Sequence, residues 1–378
     1  MRRSAFSVLS SAFVAFLIWT TAASAQPVPL PHVHFIATGG TISNRDPSTS
    51  LGASPSTSLG AGGNRLTAEE LVAAARGVDR YARVTHEQFS NVASSELTVS
   101  QWLQLSRRIN QLFRTDSELA GVVVTSGTDT LEETAFFLHL TVRDPRPVVV
   151  VGAMRNASTV GYEGPANLLE GIRVAATPEA RDKGVLVVLN DEINSARDVT
   201  KTDAHRLQTF QSRTQGLLGV VDSDRVVFFR QILQRHTSKT EFDVDLIKEL
   251  PRVDVILVYQ SAPGDLIKAA VDAGARGIVM ATAGAGATSG TQNDGLNYAA
   301  QKGAFIVTST RTGAGRIEPP PARGRMPSSF QPTEEQLRRR AFTVAAEDHI
   351  PVKARILLML ALTKTNSRDE IQRIFSEY

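Results

Sequence analysis

Short, almost wholly apolar runs alternate along this chain with segments that carry helix-start signals, and that alternation leaves few folds open. Strands are expected at His32–Thr38, Tyr81–Phe89, Gly121–Thr125, Val148–Gly152 and Val185–Leu189. A run without polar alternation predicts a strand covered on both faces, as parallel strands usually are. Between the runs, Thr67 to Glu70, Thr98 to Gln101 and Thr130 to Glu133 all fit the S/T-x-x-E/Q box that pairs two orphan amides at a helix start. A second cycle follows the polar stretch Arg235–Asp243. Its strands are expected at Val253–Tyr259, Gly277–Ala281 and Ala304–Thr308, with helices at Gly264–Ala273, Pro351–Lys364 and Arg368–Tyr378. The reading is therefore α/β. A larger N-terminal domain at 30–230 has a mostly parallel sheet flanked by helices, 231–250 is a linker, and 251–378 is a smaller C-terminal α/β domain.

Residues 1–25, MRRSAFSVLSSAFVAFLIWTTAASA, combine two arginines, an apolar run too short to span a bilayer and an Ala23-Ser24-Ala25 cleavage signal. This is the layout of a secretory signal peptide, so the mature protein is expected to begin near Gln26 and to be periplasmic or secreted. Removing the two arginines lowers the net charge from +3 to +1. A nearly neutral chain with 6% aromatic residues gives no support for a nucleic-acid partner, and no later run is long enough to cross a membrane. The absence of cysteine excludes disulfides, thiolate metal sites and cysteine nucleophiles together.

Ligands of open α/β sheets bind beyond the carboxyl ends of the strands. Two strands here run into Gly-Thr turns: HFIAT into Gly39-Gly40-Thr41, and GVVVT into Ser126-Gly127-Thr128-Asp129. Glycine permits positive φ and close approach, and turn amides can donate to an oxyanion. Thr41, Thr128 and Asp129 are thus expected at one crevice, although such turns are also ordinary strand ends. Lys201, within DVTKTD, is either a solvated surface charge or a lysine drawn into that crevice to act as a base. Other chemistries find no motif. Gly284 to Gly290 only approaches a dinucleotide fingerprint, there is no phosphate-binding P-loop, and the seven histidines show no metal-ligand spacing. No cofactor is expected, and His205 reads as a surface residue.

Taken in order, ATGGTI, TSGTDTLEETAFFL, VVVVGAMR, RDVTKTD and the ending PVKARILLMLALTKT…IQRIFSEY resemble the bacterial L-asparaginase family, most closely its exported type II branch. The resemblance runs from about His34 to Tyr378. It implies hydrolysis of the side-chain amide of L-asparagine through a threonine nucleophile and a β-aspartyl ester. Thr41 would attack, Thr128 and Lys201 would relay the proton, and Asp129 would hold the substrate α-ammonium. The stretch EQFSNVASSELTVSQWL resembles the next substrate-binding segment. It places Ser94 on the substrate carboxylate and Ser95 where relatives carry Gln or Glu, with Glu96 turned to the opposite side of an extended backbone. A homotetramer with sites at dimer interfaces is implied, and Glu318 is the candidate acid lent to the neighbouring subunit.

Residues Ser43–Asn64 occupy the position of the family's lid, which usually supplies a tyrosine. Here no tyrosine precedes Tyr81, and the segment holds a PSTSLGA phrase twice, a composition expected of a loop tip that tolerates insertion. The missing tyrosine predicts a reduced kcat unless Arg45 or Asn64 compensates. Ser95 and this lid keep open a glutaminase-asparaginase, or a hydrolase of another small amide such as a D-amino acid or dipeptide. A periplasmic amino-acid-binding protein without turnover is the reading from a different class.

Overall fold

The computed structural model describes residues 29–45, 65–319 and 331–378. The expected signal peptide and the PSTSLGA duplication lie outside them. The chain enters the larger sheet through β1 (His32–Gly39), passes α1 (Ala68–Ala74) to β2 (Arg83–Val92), and returns through α2 (Val99–Thr115) to β3 (Leu119–Thr125) on the other side of β1. The parallel order continues through α3 (Leu131–Thr141), β4 (Val148–Val151), α4 (Gly164–Ala176) and β5 (Val185–Leu189). Next come β6 (Glu192–Ser195), a ribbon of β7 (Thr200–Lys201) and β8 (Phe210–Gln211), then β9 (Gly219–Val221) and β10 (Val226–Phe228). The strand order is β10-β9-β6-β5-β4-β3-β1-β2. The four pairings from β2 to β5 are parallel, while the β5-β6-β9-β10 extension is antiparallel.

The valine runs explain why the central strands lack polar alternation. Val122 and Val124 of β3 join one core with Leu105 and Ile109 of α2. Val123, between them, joins the opposite core with Phe35 of β1 and Leu168 and Ile172 of α4. Successive side chains point to opposite faces, so a sheet covered on both sides needs apolar residues at every position. The strand expected at Tyr81–Phe89 departs from this. It begins at Arg83, forms the sheet edge as β2, and has only exposed and half-buried residues, because only β1 pairs with it. The boxes at Thr67 and Thr98 form as expected. The one at Thr130 does not. Thr130 adopts φ −126° and ψ 19°, its side chain caps nothing, and its N–H donates to Ser94 Oγ at 3.3 Å. Glu133 instead lies 3.7 Å from Arg355, and burial pushes its carboxyl up against the opposing pull of that guanidinium.

The second sheet is wholly parallel, in the order β11-β12-β13-β14. Its elements are β11 (Val253–Leu257), α5 (Asp265–Asp272), β12 (Gly277–Thr282), α6 (Gln292–Gln301), β13 (Phe305–Thr310), α7 (Glu334–Phe342) and β14 (Thr343–Ala345), closed by α8 (Pro351–Ala361) and α9 (Arg368–Glu377). One apolar core crosses between the two halves. Phe136, Phe137 and Leu140 of α3 share it with Leu357 and Leu358 of α8 and with Phe375 and Tyr378. Phe242, Val244 and Ile247, in the segment joining the sheets, are buried in the same core. Among the described residues no helix is long and apolar enough to cross a membrane.

Candidate functional site

The chain places β2 on one side of β1 and β3 on the other, so the strand order reverses between β1 and β3. A crevice opens at such a switch point, beyond the carboxyl ends of the strands. Both Gly-Thr turns lead out of it. Thr38 Oγ1 donates to Thr125 O at 2.6 Å, tying the last residues of the two strands together. Gly39 and Gly40 then take φ of 107° and 85°, a region that L side chains rarely adopt. A Cβ on Gly40 would lie 2.2 Å from Gly127 N, so the turns touch backbone to backbone. Thr41 follows at once, partly exposed, at the head of a single 3-10 turn, Thr41–Ser43.

Thr128 is buried, and its Oγ1 receives a hydrogen bond from Lys201 Nζ at 3.1 Å. The same ammonium donates to Asp129 Oδ1 at 2.7 Å. Lys201 has a side chain 15% exposed, whereas that of Asp129 is 66% exposed and free to meet a cationic ligand on its open side. The structure thus draws Lys201 into the crevice rather than leaving it as a solvated surface charge. Ser94 is buried against Gly127, where a Cβ would come within 2.8 Å of Ser94 Oγ. Ser95 is exposed beside it. The extended backbone expected at Glu96 is not found, because Ser94–Glu96 form a 3-10 turn.

Lys201 owes its position to residues that the sequence reading passed over. Its N–H points to Glu132 Oε1 at 3.5 Å. Lys353, from α8 in the other half of the molecule, donates through Nζ to Arg197 O at 2.9 Å and to Val199 O, two residues before Lys201. Arg197 is held in turn by Asp348, with contacts of 2.7 and 3.0 Å. A lone lysine in the apolar run PVKARILLML was the available signal for this brace. Tyr162 and Arg65, which reach the Thr41 turn, carried no such signal.

Glu318 is not joined to this cluster within one chain. Its side chain is 83% exposed and stands 3.9 Å from Arg316 in the C-terminal half. Arg45 is engaged with Glu70 at 3.1 Å, and Asn64 lies outside the described residues. His205 is exposed. A polar cleft of about 650 Å³ between Arg197, Arg213, Arg316 and Asp348 contains neither Gly-Thr turn. Two of its guanidinium groups are paired within it, Arg197 with Asp348 and Arg316 with Glu347, and Arg213 donates to Thr312 O at 3.2 Å.

Comparison with known proteins bears on the chain as a whole. The model described as "Asparaginase, N-terminal" matches residues 32–234, and "Glutaminase/Asparaginase C-terminal domain" matches 252–375. The chain is 42% identical over 359 residues to L-asparaginase 2 of Bacillus subtilis (strain 168), covering 95% of this chain and 90% of that protein. It is 35% identical over 382 residues to the glutaminase-asparaginase of Pseudomonas fluorescens biotype A, covering 100% of each. The crystal structure of a probable cytoplasmic L-asparaginase from Campylobacter jejuni superposes with a TM-score of 0.77 at 34% identity, over 92% of this chain and 100% of that one. With both family models spanning its two halves, the chain belongs to the asparaginase family.

Proposed function

We propose that the protein hydrolyses the side-chain amide of L-asparagine to L-aspartate and ammonia, with Thr41 as nucleophile. The observation that carries this reading is Lys201 Nζ, set 3.1 Å from the Thr128 hydroxyl and 2.7 Å from Asp129, on the turn that packs against the Thr41 turn. Thr41 Oγ bonds to the amide carbon as the C–N bond breaks, and the Thr41 proton leaves with the nitrogen as ammonia. Water then attacks the ester, releasing aspartate and restoring the hydroxyl. Thr128 and Lys201 form the relay for these protons once the lysine is neutral, since a protonated ammonium can only donate. Asp129 pairs with the substrate α-ammonium and Ser94 faces its carboxylate. A pure amino-acid binder has no use for a lysine held on a buried hydroxyl. Turnover of L-glutamine is the second reading, favoured by the small exposed Ser95, which leaves room beside Ser94.

Export follows from the composition of residues 1–25. A homotetramer fits the single chain's open site, where Asp129 and Glu318 both face outward, at 66% and 83% side-chain exposure. Ammonia release from L-Asn, L-Gln and D-Asn by the mature protein tests the central reading. Thr41→Ala should lower turnover of the preferred amide by at least about 10³-fold, as removal of a nucleophile does. Unchanged turnover would exclude Thr41 as nucleophile. On the same preparation, an active species that sediments as a monomer would exclude the tetramer; for the full-length chain expressed in a secreting host, a product whose amino terminus is still Met1 would exclude the signal peptide.

A further inference from the structure

Thr41 heads a turn whose backbone acceptors are accounted for one by one, and two of the donors come from the distant loop between β4 and α4. Gly40 O accepts from Ser43 N at 3.2 Å, Ser43 Oγ at 3.0 Å and Arg65 Nη1 at 3.3 Å. Thr41 O accepts from Asn44 N at 3.1 Å, Ser43 O from Leu66 N at 2.6 Å, and Asn44 O from Ala157 N at 2.8 Å. Among the described residues, the donor that meets Ile42 O is the hydroxyl of Tyr162, from the loop between β4 and α4. A buried carbonyl costs free energy if it is left unpaired, so this donor is part of what makes the turn stable.

The surroundings are built to bring that hydroxyl in. The Tyr162 ring packs against the core cluster that holds Ile42, itself wholly buried. A Cβ on Gly164 would stand 2.3 Å from the ring Cζ and Oη, so only glycine there leaves space for the ring. The loop is pinned on both flanks: the Glu163 carboxylate accepts from Met154 N, and Arg155 Nη1 donates to Gly161 O at 2.9 Å. Burial first, and the Glu163 carboxylate second, push the phenol above its ordinary range, so it keeps its proton and remains a donor.

We propose that Tyr162 is a positioning residue for the reaction, its hydroxyl fixing the Thr41–Ser43 turn, and hence the direction of the Thr41 hydroxyl, from the β4–α4 loop. The proposal rests on the reading of Thr41 as nucleophile. Tyr162 touches the carbonyl of the residue after Thr41, not the reacting atoms. Substrate charge is met by Ser94 and Asp129 on other turns, so loosening the Thr41 turn should slow chemistry and leave binding nearly unchanged. Misplacement of a reacting atom by a fraction of an ångström is enough for a large effect.

The test is Tyr162→Phe, which keeps the ring and removes only the hydroxyl. Active sites are titrated with a diazoketone analogue of asparagine, so that misfolded protein is not counted. The expected result is a fall of about 10-fold or more in kcat per titrated site, with KM and the Kd for L-aspartate within about twofold of wild type. An unchanged kcat per titrated site, whatever happens to the melting temperature, would reduce Tyr162 to a structural residue and overturn the proposal. No ammonia release from wild-type protein would overturn the Thr41 reading and this proposal together, which separates the two failures.

Discussion

At the residue scale, Gly40 and Lys201 are limited by different physics. Gly40 combines φ of 85° with backbone contact to Gly127, so a methyl there meets both conformational strain and a 2.2 Å overlap with a main-chain atom that cannot swing away. Gly40→Ala should therefore separate the two turns, lower stability by about 2 kcal/mol or more, and cost about 10²-fold in kcat. Paired measurements of urea unfolding and ammonia release check this, and an alanine variant with wild-type values for both would show that the contact is dispensable. The glycines, Thr41, Thr128 and Asp129 were legible in the sequence, because a tight turn after a strand is a local event with a strong residue preference. Lys201 was legible as a candidate but its state was not. Whether a lysine in a polar loop is solvated or drawn inward depends on what packs over it.

At the element scale, the two-stranded ribbon β7–β8 presents Lys201 to the Gly-Thr turns. A ribbon this short is marginal by itself and needs anchoring. Val199 and Phe210 sink into the core of the large sheet, and Lys353 reaches across from α8 to the carbonyls of Arg197 and Val199. Burial brings the Lys353 ammonium down to about 8, with the nearby Glu132 and Asp198 carboxylates opposing. Lys353→Met would fill similar volume but leave two inward-facing carbonyls without that donor. The expected result is a loss of about 2–5 kcal/mol in stability together with a lower kcat, because the strand carrying Lys201 loses its tether. Equal stability and equal kcat in the variant would mean that the anchor has no consequence. Sequence reasoning located β1, β3, β4 and β5 but not the antiparallel extension. The strands β6, β9 and β10 have only three or four residues each, too few to show a period.

At the scale of the whole molecule, the halves are joined through an apolar core against which titratable rings pack. His139 and His349 flank Phe136 with ring centroids 6.2 and 5.7 Å away, and His236 lies 5.3 Å from His139. Burial is the largest influence on all three and holds each imidazole below its ordinary range, His349 down to about 3, with Arg197 adding to the effect on His139 and His349. The unfolded chain, titrating near 6.5, therefore binds more protons than the folded one as pH falls. The stabilisation is complete above about pH 6.5 and is lost progressively toward pH 3, by roughly 4 kcal/mol for His349 alone at the acid end. Asp348, held low by Arg197 despite its burial, adds a loss in the same direction. Burial pushes the Glu133 and Glu170 carboxyls up, and they gain stability over part of the same range, so the histidine share is read as a difference. Urea midpoints from pH 7 to pH 4 should fall less steeply in His349→Gln than in wild type, and parallel profiles would show that this ring is not buried neutral. The sequence by itself determined the α/β class, the central strands and the residues at the two turns, since each is set by side-chain period or turn chemistry within a few neighbours. Only the tertiary structure decided that Lys201 faces Thr128, that Thr130 caps nothing, that Lys353 reaches the carbonyls of Arg197 and Val199, that Tyr162 meets the carbonyl of Ile42 and that Glu318 stands apart from the two turns. Those outcomes depend on contacts between residues far apart in the chain, and such contacts form only when strand order and helix packing close the core around them.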